Sequence, residues 1–137
     1  MSTSLPPIIK LLRRDRRYKL EAYQFVREAL DYAHRKLGMG HQHAGKSGEP
    51  APDAHVTGQQ LCEAIRQFAI EQFGLMAKLV LNSWGIHSTG DFGEIVYNLI
   101  EINEMKKSQS DRREDFDDVY DFDAAFVRDF QIKVSRK

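Results

Sequence analysis

The chain has 137 residues, of which 42% are hydrophobic and 29% are charged, and its formal net charge is zero. This length is typical of a single domain with a sizeable core, so we predict one helical domain over residues 1–137. No apolar run approaches the roughly 20 residues that cross a bilayer, so we predict no membrane span and no membrane partner. The single cysteine, Cys62, cannot form an internal disulfide, which favours a reducing, cytoplasmic location.

Charged residues are unevenly distributed along the chain. Residues 1–37 contain nine basic and four acidic side chains, for a net charge of +5, whereas residues 111–123 contain seven acidic and two basic ones, for −5. Such segregation has two interpretations: the two ends neutralise each other within one fold, or each end faces a different partner. We refer to residues 1–17 as the basic arm and to residues 111–123 as the acidic segment.

The first 37 residues predict two helices. Pro6 and Pro7 precede the sequence IIKLLRR, which suits a short helix with proline in its first turn, so the basic arm is a short helix or an extended arm. From Leu20 to Leu37, apolar residues recur at i, i+3 and i+4, while charged residues fall mostly on the other face. This pattern predicts an amphipathic helix that ends at Gly38.

Residues 38–56 predict a mobile surface loop, because glycine, proline and histidine are frequent there and no apolar periodicity is present. His41 and His43 form a His-x-His pair, and imidazoles are good ligands for zinc, copper or nickel. A zinc site needs further ligands, and neither His55 nor His87 lies at a telling spacing. We therefore predict no metal site and no cofactor, and we name His41 and His43 as the candidate ligands if a metal binds.

The helices that follow have local start and end signals. Thr57 and Gln60 have the spacing of a capping box, so a helix begins there. Gly74 favours a corner between two helices, and Gly85 is a candidate for the left-handed residue that ends the second one. Ser88 can cap a third helix. The apolar side chains of these helices predict one core, which includes Phe68, Leu79, Trp84, Phe92, Ile95 and Leu99.

The pattern changes after Met105. A charged stretch, KKSQSDRRED, is flanked by EINEM and FDDVY, each of which can form a short extended segment, and this arrangement predicts a hairpin. The sequence DFDAAFVRDF then has aromatic residues at helical spacing, which predicts a last short helix. The predicted fold is mainly α, a compact bundle of five or six helices with a short C-terminal β-hairpin.

Three segments of the chain resemble a family of small conserved proteins of unknown function from planctomycetes and verrucomicrobia. They are YKLEAYQFVREAL at residues 18–30, HVTGQQLCEAIRQFAIEQFGLMAKLVLNSWGIHSTGDFGEIVYNLIE at 55–101 and DFDDVYDFDAAF at 115–126. The stretches DFGEIVYNLIE and VYDFDAAF are the most specific ones. The resemblance implies a bacterial source and a self-contained domain, and it brings no catalytic residue, cofactor or binding site.

Four titratable residues near the best-patterned helices are candidates for an acid–base pair: His55, His87, Asp91 and Glu94. Asp91 and Glu94 lie near the start of a predicted helix, where the helix dipole favours negative charge without any catalytic role. The sequence contains no recognised constellation of nucleophile, base and anion-stabilising group. We therefore predict no catalytic residues and favour a non-enzymatic protein.

The charged surfaces suggest two functions. We favour a protein-interaction module whose partner is another protein or a second copy of the chain. Its predicted partner-binding residues are Arg13, Arg14, Arg16, Arg17, Asp115, Asp117 and Asp118. The alternative is a winged-helix-like nucleic-acid-binding protein that uses the basic arm and the charged hairpin. The helix that would read the groove, residues 88–104, has acidic side chains that phosphates repel, so nucleic acid is the less favoured partner.

Overall fold

The computed structural model describes residues 5–39 and 55–128. This part of the chain contains five α-helices, α1 (Pro7–Arg14), α2 (Leu20–Arg35), α3 (Gly58–Phe73), α4 (Ala77–Ser83) and α5 (Thr89–Glu101). Two short 3₁₀ helices (Gly74–Met76 and Arg113–Phe116) and a π-helix (Ala124–Arg128) are also present. The prediction of a mainly helical bundle is confirmed. No helix in the two described ranges is long and apolar enough to cross a membrane.

The helix boundaries are confirmed where the local sequence signals are strongest. Thr57 Oγ1 accepts a hydrogen bond from Gln60 N at 3.1 Å, and Gln60 Oε1 accepts one from Thr57 N at 3.0 Å, which forms the predicted capping box of α3. Gly74 ends α3 with a φ of 56°, and it is the predicted corner before α4. Gly85 follows α4 with a φ of 96°, the predicted left-handed conformation, and α5 begins after Ser88.

The core lies where α2 packs against α3 and α5. At one end of it, the Phe25 ring of α2 stacks on Phe68 of α3 with ring centroids 5.1 Å apart, and Trp84 lies 5.5 Å from the same Phe25 ring. Phe68 and Trp84 are partly buried and pack against the core, as predicted. The predicted core residues of α5 are fully buried: Phe92, Ile95 and Leu99.

The prediction that Leu79 belongs to the core is wrong, because Leu79 is 60% exposed. Helix α4 has about two turns, and it buries Ala77 and Leu81, which lie four residues apart on one face. Leu79 is two residues from each of them, and at about 100° per residue it falls on the opposite face. The apolar residues of α4 therefore have helical spacing, but they lie on two faces: the face with Ala77 and Leu81 is buried, and the face with Leu79 is exposed to solvent.

The prediction of a C-terminal β-hairpin is also wrong: residues 102–121 are all described, and they form no strand. Instead, the 3₁₀ helix Arg113–Phe116 packs against α3 and α5. Its Phe116 is buried against Gly93 of α5, where a Cβ atom would lie 2.8 Å from Phe116 Cβ. The missing side chain of Gly93 thus allows a close approach. This segment is positioned by a contact with distant helices rather than by local strand pairing.

The predicted mobile loop, residues 38–56, is described at its two ends. Gly38 follows α2 with a φ of 68°, and Met39 is partly buried against the core. At the other end, Val56 is buried. Residues 40–54, which include His41 and His43, lie outside the described residues, so the prediction of mobility stays a prediction.

Candidate functional site

The arginines of the basic arm lie on α1 and in the turn after it. Arg14 Nη2 donates a hydrogen bond to Glu101 Oε1 of α5 at 2.8 Å, and both side chains are more than half exposed. Arg13 and Arg16 are exposed, and neither forms an ion pair with any residue in the described ranges. Two of the four predicted partner-binding arginines could therefore bind a partner without breaking an ion pair among the described residues.

Arg17 belongs to a polar network that joins the basic arm to α2 and α5. Its guanidinium donates two hydrogen bonds to the Asp15 carboxylate, at 3.0 and 2.7 Å, and these bonds hold the pKa of Asp15 well below its usual range. Asn98 Nδ2 donates to Asp15 Oδ2 at 3.0 Å and to the Tyr23 hydroxyl at 3.1 Å. This network fixes the end of the basic arm on the bundle.

Glu94 connects the basic arm with the acidic segment. Its carboxylate accepts hydrogen bonds from Arg113 Nε at 2.6 Å and from Arg17 Nη2 at 3.0 Å, and the Arg113 bond contributes most to lowering the pKa of Glu94. Arg113 Nη1 also donates to Asp117 Oδ1 at 2.9 Å. The structure therefore brings Arg17 and Asp117 into one chain of ion pairs, with Glu94 and Arg113 between them.

The other two predicted acidic residues have different surroundings. Asp115 Oδ2 accepts a hydrogen bond from Arg112 N at 3.1 Å, which caps the 3₁₀ helix. Asp118 is exposed and has a φ of 52°, a conformation that aspartate tolerates better than most residues. Asp115 and Asp117 thus stabilise local structure, and Asp118 is the acid among these three that is most available to a partner.

The candidate acid–base residues do not form one cleft. Asp91 caps α5 by accepting hydrogen bonds from His87 N at 2.8 Å and Ser88 N at 3.2 Å. It also accepts one from the Tyr18 hydroxyl at 2.5 Å, and burial, followed by this bond, raises the pKa of Tyr18. His55 is elsewhere, with its Nε2 2.5 Å from Asp111 Oδ2. No group of three or more His, Cys, Asp and Glu residues in the described ranges could hold a metal ion.

An apolar surface is found where the sequence predicts core. Leu75, Met76 and Leu79 are 59%, 53% and 60% exposed, respectively, and they are the most exposed large hydrophobic residues in the described part of the chain. They lie on α4 and the 3₁₀ turn before it, at positions i, i+1 and i+4, so they share one side of this short helical unit. We call these three residues the α4 ridge.

One basic and one acidic side chain border the α4 ridge. Lys78, within the same helix, lies with its Nζ 2.5 Å from Asp123 Oδ1, and the Asp123 side chain is 61% exposed. The π-helix that follows Asp123 packs against α4. Sequence reasoning missed this surface because Leu75 and Leu79 have the spacing of a buried stripe. The signal that could have found it is the competing pair Ala77 and Leu81, also four residues apart.

No protein-family model, curated protein or solved structure matches the chain. The resemblance to the bacterial family therefore stays a prediction.

Proposed function

We propose that the protein is a non-enzymatic interaction module that pairs with a second copy of itself through the α4 ridge. The observation that carries the proposal is the exposure of three large apolar side chains on one side of α4 and the 3₁₀ turn before it. Burying a leucine or methionine side chain fully contributes roughly 1.5–3 kcal/mol, so a contact that covers the ridge would be favourable. Isolated exposed apolar residues need no explanation, whereas a contiguous group favours an interaction surface.

The border of the ridge supports a second copy as the partner. Two-fold pairing brings the same surface of both copies together, so that surface must be self-complementary. The α4 ridge meets this requirement, because its apolar side chains can cover one another and its border carries Lys78 and Asp123, one charge of each sign. The formal net charge of zero adds no long-range repulsion between copies.

The pairing is expected to be weak. A standard stable interface uses roughly 20–30 residues a side, whereas the ridge supplies three apolar residues with a small charged border. We therefore expect a dissociation constant between about 1 µM and 1 mM, which corresponds to roughly −8 to −4 kcal/mol. Such an affinity suits a module whose association depends on local concentration.

Leu79→Glu is expected to abolish self-association, because it places a charge in the centre of the apolar contact. Sedimentation velocity over a range of protein concentrations should show a concentration-dependent dimer for the unmodified chain and a monomer for the variant. Leu79 is exposed, so the thermal melt should change little. The matched control is Leu20→Glu, the same change at a leucine that is 38% exposed on α2, and this variant should still dimerise.

The charged residues at the border of the ridge allow a second test by the same measurement. Lys78→Glu and Asp123→Lys should each weaken the dimer, because each breaks the ion pair within one copy and leaves two like charges at the border of both copies. The double variant restores opposite charges and should restore the dimer. A monomer at all concentrations up to about 1 mM would overturn the proposal. So would an equal loss of association in the Leu20→Glu control, because the surface would then lie elsewhere.

Nucleic-acid binding by the basic arm is the second candidate. Arg13 and Arg16 favour it, because both are exposed and neither forms an ion pair with a described residue. The hairpin that would form the wing is absent from residues 102–121, and Arg14 and Arg17 are engaged by acidic residues of α5. We therefore expect no binding of duplex or single-stranded nucleic acid at about 150 mM salt, measured by fluorescence anisotropy. Micromolar, salt-sensitive binding that is lost when all four arginines, Arg13, Arg14, Arg16 and Arg17, are changed to Ala would make this the better function.

A reducing, bacterial cytoplasm is the location that we include in the proposal. Cys62 of α3 is fully buried, and burial raises the pKa of its thiol to about 12, so the thiol stays protonated at neutral pH. A protonated, buried thiol packs as a small apolar side chain, which supports a protein built without disulfides. The bacterial source rests on the family resemblance.

A further inference from the structure

A pocket of about 180 Å³ lies between the first half of α2, the last turn of α3 and the end of α4. Three aromatic and four polar residues line it. The volume is smaller than the roughly 300 Å³ at which sites for drug-sized ligands begin, so the pocket suits a small head group. It is separate from the α4 ridge, and also from a larger cavity that is lined by Tyr97, Asp111 and Asp115.

The aromatic part of the pocket is formed by Phe25, Phe73 and Trp84. The rings of Phe73 and Trp84 are nearly perpendicular, at 78°, with their centroids 5.8 Å apart. Two rings at right angles form a corner in which one bound group faces both π systems. Phe25 is buried next to this corner, with its ring centroid 5.7 Å from Phe73 and 5.5 Å from Trp84. Phe73 and Trp84 are only partly buried, so solvent reaches the two rings that form the corner.

Two carboxylates border the aromatic corner. Glu21 and Glu28 lie two turns apart on the same face of α2, and both line the pocket. Both are exposed, and neither forms an ion pair with any residue in the described ranges. Glu21 is in the first turn, where the helix dipole favours a negative charge without any ligand. Glu28 lies in the middle of α2, so the dipole does not explain its presence at the pocket.

The positive charges in this region are directed elsewhere. Among the described residues, no lysine or arginine lines the pocket. Arg27, next to Glu28 in the sequence, forms an ion pair with Glu104 at 2.9 Å. The backbone N–H of Lys19 donates to Trp84 O at 3.2 Å, but the Lys19 side chain is exposed and does not line the pocket. The charge that a ligand meets at the pocket is therefore negative.

We propose that this pocket binds a quaternary ammonium group. Aromatic ring faces and carboxylates both attract cations, and aromatic corners are a recurring means of binding alkylated ammonium groups. A primary ammonium is compact and strongly hydrated, so it loses more hydration at an aromatic surface than a quaternary one, whose methyl groups pack against the rings. The carboxylates at the border act through their charge and need no N–H donor. This inference goes beyond the pairing of two copies and does not depend on it.

Three probes that share a hydroxyethyl group test the proposal: choline, its uncharged analogue 3,3-dimethylbutan-1-ol and the primary amine ethanolamine. Trp84 is the single tryptophan of the chain, so its fluorescence reports binding at the pocket of the unmodified protein. The protein is kept at about 1 µM or below, where the chain is a monomer, and NaCl compensates for the salt of each probe. We expect saturable binding of choline with a dissociation constant of about 1 mM, and binding of the other two probes that is about tenfold weaker. No saturation by choline up to about 10 mM, or equal binding of either other probe, would overturn the proposal.

A quaternary ammonium group is present both in free compounds such as choline and in trimethylated lysine side chains. A short peptide with one trimethyllysine separates these two sources, and the same peptide with unmodified lysine is its control. Binding of the trimethylated peptide about tenfold tighter than choline would assign the site to a protein partner, and equal binding would assign it to a free compound. Equal binding of the two peptides would contradict a site for a quaternary ammonium group.

Glu28→Gln tests the carboxylate at the border. It should weaken choline binding severalfold and leave 3,3-dimethylbutan-1-ol nearly unchanged, because only the charged probe is attracted by the carboxylate. Glu114→Gln is the matched control, since Glu114 is exposed, does not line the pocket and forms no ion pair with a described residue. Equal loss of choline binding in both variants would show that general surface charge, and not the pocket, attracts the probe.

Phe73→Leu separates a binding role of the ring from a structural one. It removes one π face and keeps an apolar side chain at the end of α3. Choline binding should weaken severalfold, and binding of the uncharged analogue should weaken less, because the attraction between a cation and a ring acts on the charge alone. A lower melting temperature with an unchanged ratio of the two affinities would mean that Phe73 serves only the fold, and the proposed contact would then be wrong.

Discussion

Leu99→Ala is expected to lower the free energy of unfolding by about 2–5 kcal/mol, because it leaves a cavity in the centre of the bundle. Leu99 is fully buried on α5, the helix that packs against both α2 and the 3₁₀ helix Arg113–Phe116. Equilibrium unfolding in urea, monitored by circular dichroism, measures the change.

Leu79→Ala is the matched control for this experiment, with the same pair of residue types. Leu79 is 60% exposed, so its replacement should change the free energy of unfolding by no more than about 0.5 kcal/mol at protein concentrations below dimer formation. Equal effects of the two substitutions would contradict the assignment of Leu99 to the core and of Leu79 to the surface.

Gly85→Ala is expected to destabilise the fold by about 2–5 kcal/mol, the sum of a left-handed backbone penalty and a steric clash. Gly85 has a φ of 96°, and a Cβ atom there would collide with the Arg17 carbonyl group. Backbone atoms cannot move aside as a flexible side chain can, and the neighbouring hydrogen bond from Lys19 N to Trp84 O, at 3.2 Å, holds the two segments together. Thermal and urea unfolding measure the loss.

Gly74→Ala distinguishes the two causes of this loss. Gly74 also has a positive φ, 56°, but a Cβ atom there would meet nothing within 4 Å. Its replacement should therefore show a backbone penalty alone, roughly 1–3 kcal/mol for this φ of 56° and ψ of −130°. If Gly85→Ala were no more destabilising than Gly74→Ala, the close approach of the Arg17 carbonyl group would not contribute to stability.

The features of the fold that could be predicted from sequence are those that depend on neighbouring residues. The capping pair Thr57 and Gln60 satisfies backbone groups within one turn, and Gly74 and Gly85 permit a positive φ at the ends of helices. These effects act over at most a few residues, so the printed sequence contains everything that they need. The same holds for the amphipathic face of α2.

The features that could not be predicted depend on which distant residues meet. The segment around Phe116 reads as a strand of a hairpin, but Phe116 is buried against Gly58 and Gly93, and no local pattern shows that contact. Leu79 has core spacing, yet α4 is too short to bury two faces and packs its Ala77 side inward. Tertiary packing decides between such alternatives, and it overrides short-range pattern.

The candidate sites show the same difference between features set by neighbouring residues and features set by distant contacts. The sequence predicts the two charged surfaces, because runs of like charge are visible directly, but it does not show that Glu94 would join Arg17 to Arg113. The cavity lined by Tyr97, Asp111 and Asp115 is not predicted from the sequence. Tyr97 lies beside apolar residues of α5 and resembles a core residue, and its proximity to Asp111 and Asp115 depends on the path of the chain after α5.

The pairing of two copies through the α4 ridge is tested most directly by intermolecular NOEs. A mixture of ¹³C-labelled and unlabelled chain at about 1 mM, within the expected range of affinity, reports contacts between copies alone. We expect NOEs from the methyl groups of Leu79 to those of the partner's Leu79 and the partner's Met76, and none from Leu20. An absence of intermolecular NOEs at this concentration, or NOEs that involve other surfaces and not the ridge, would contradict the proposed function.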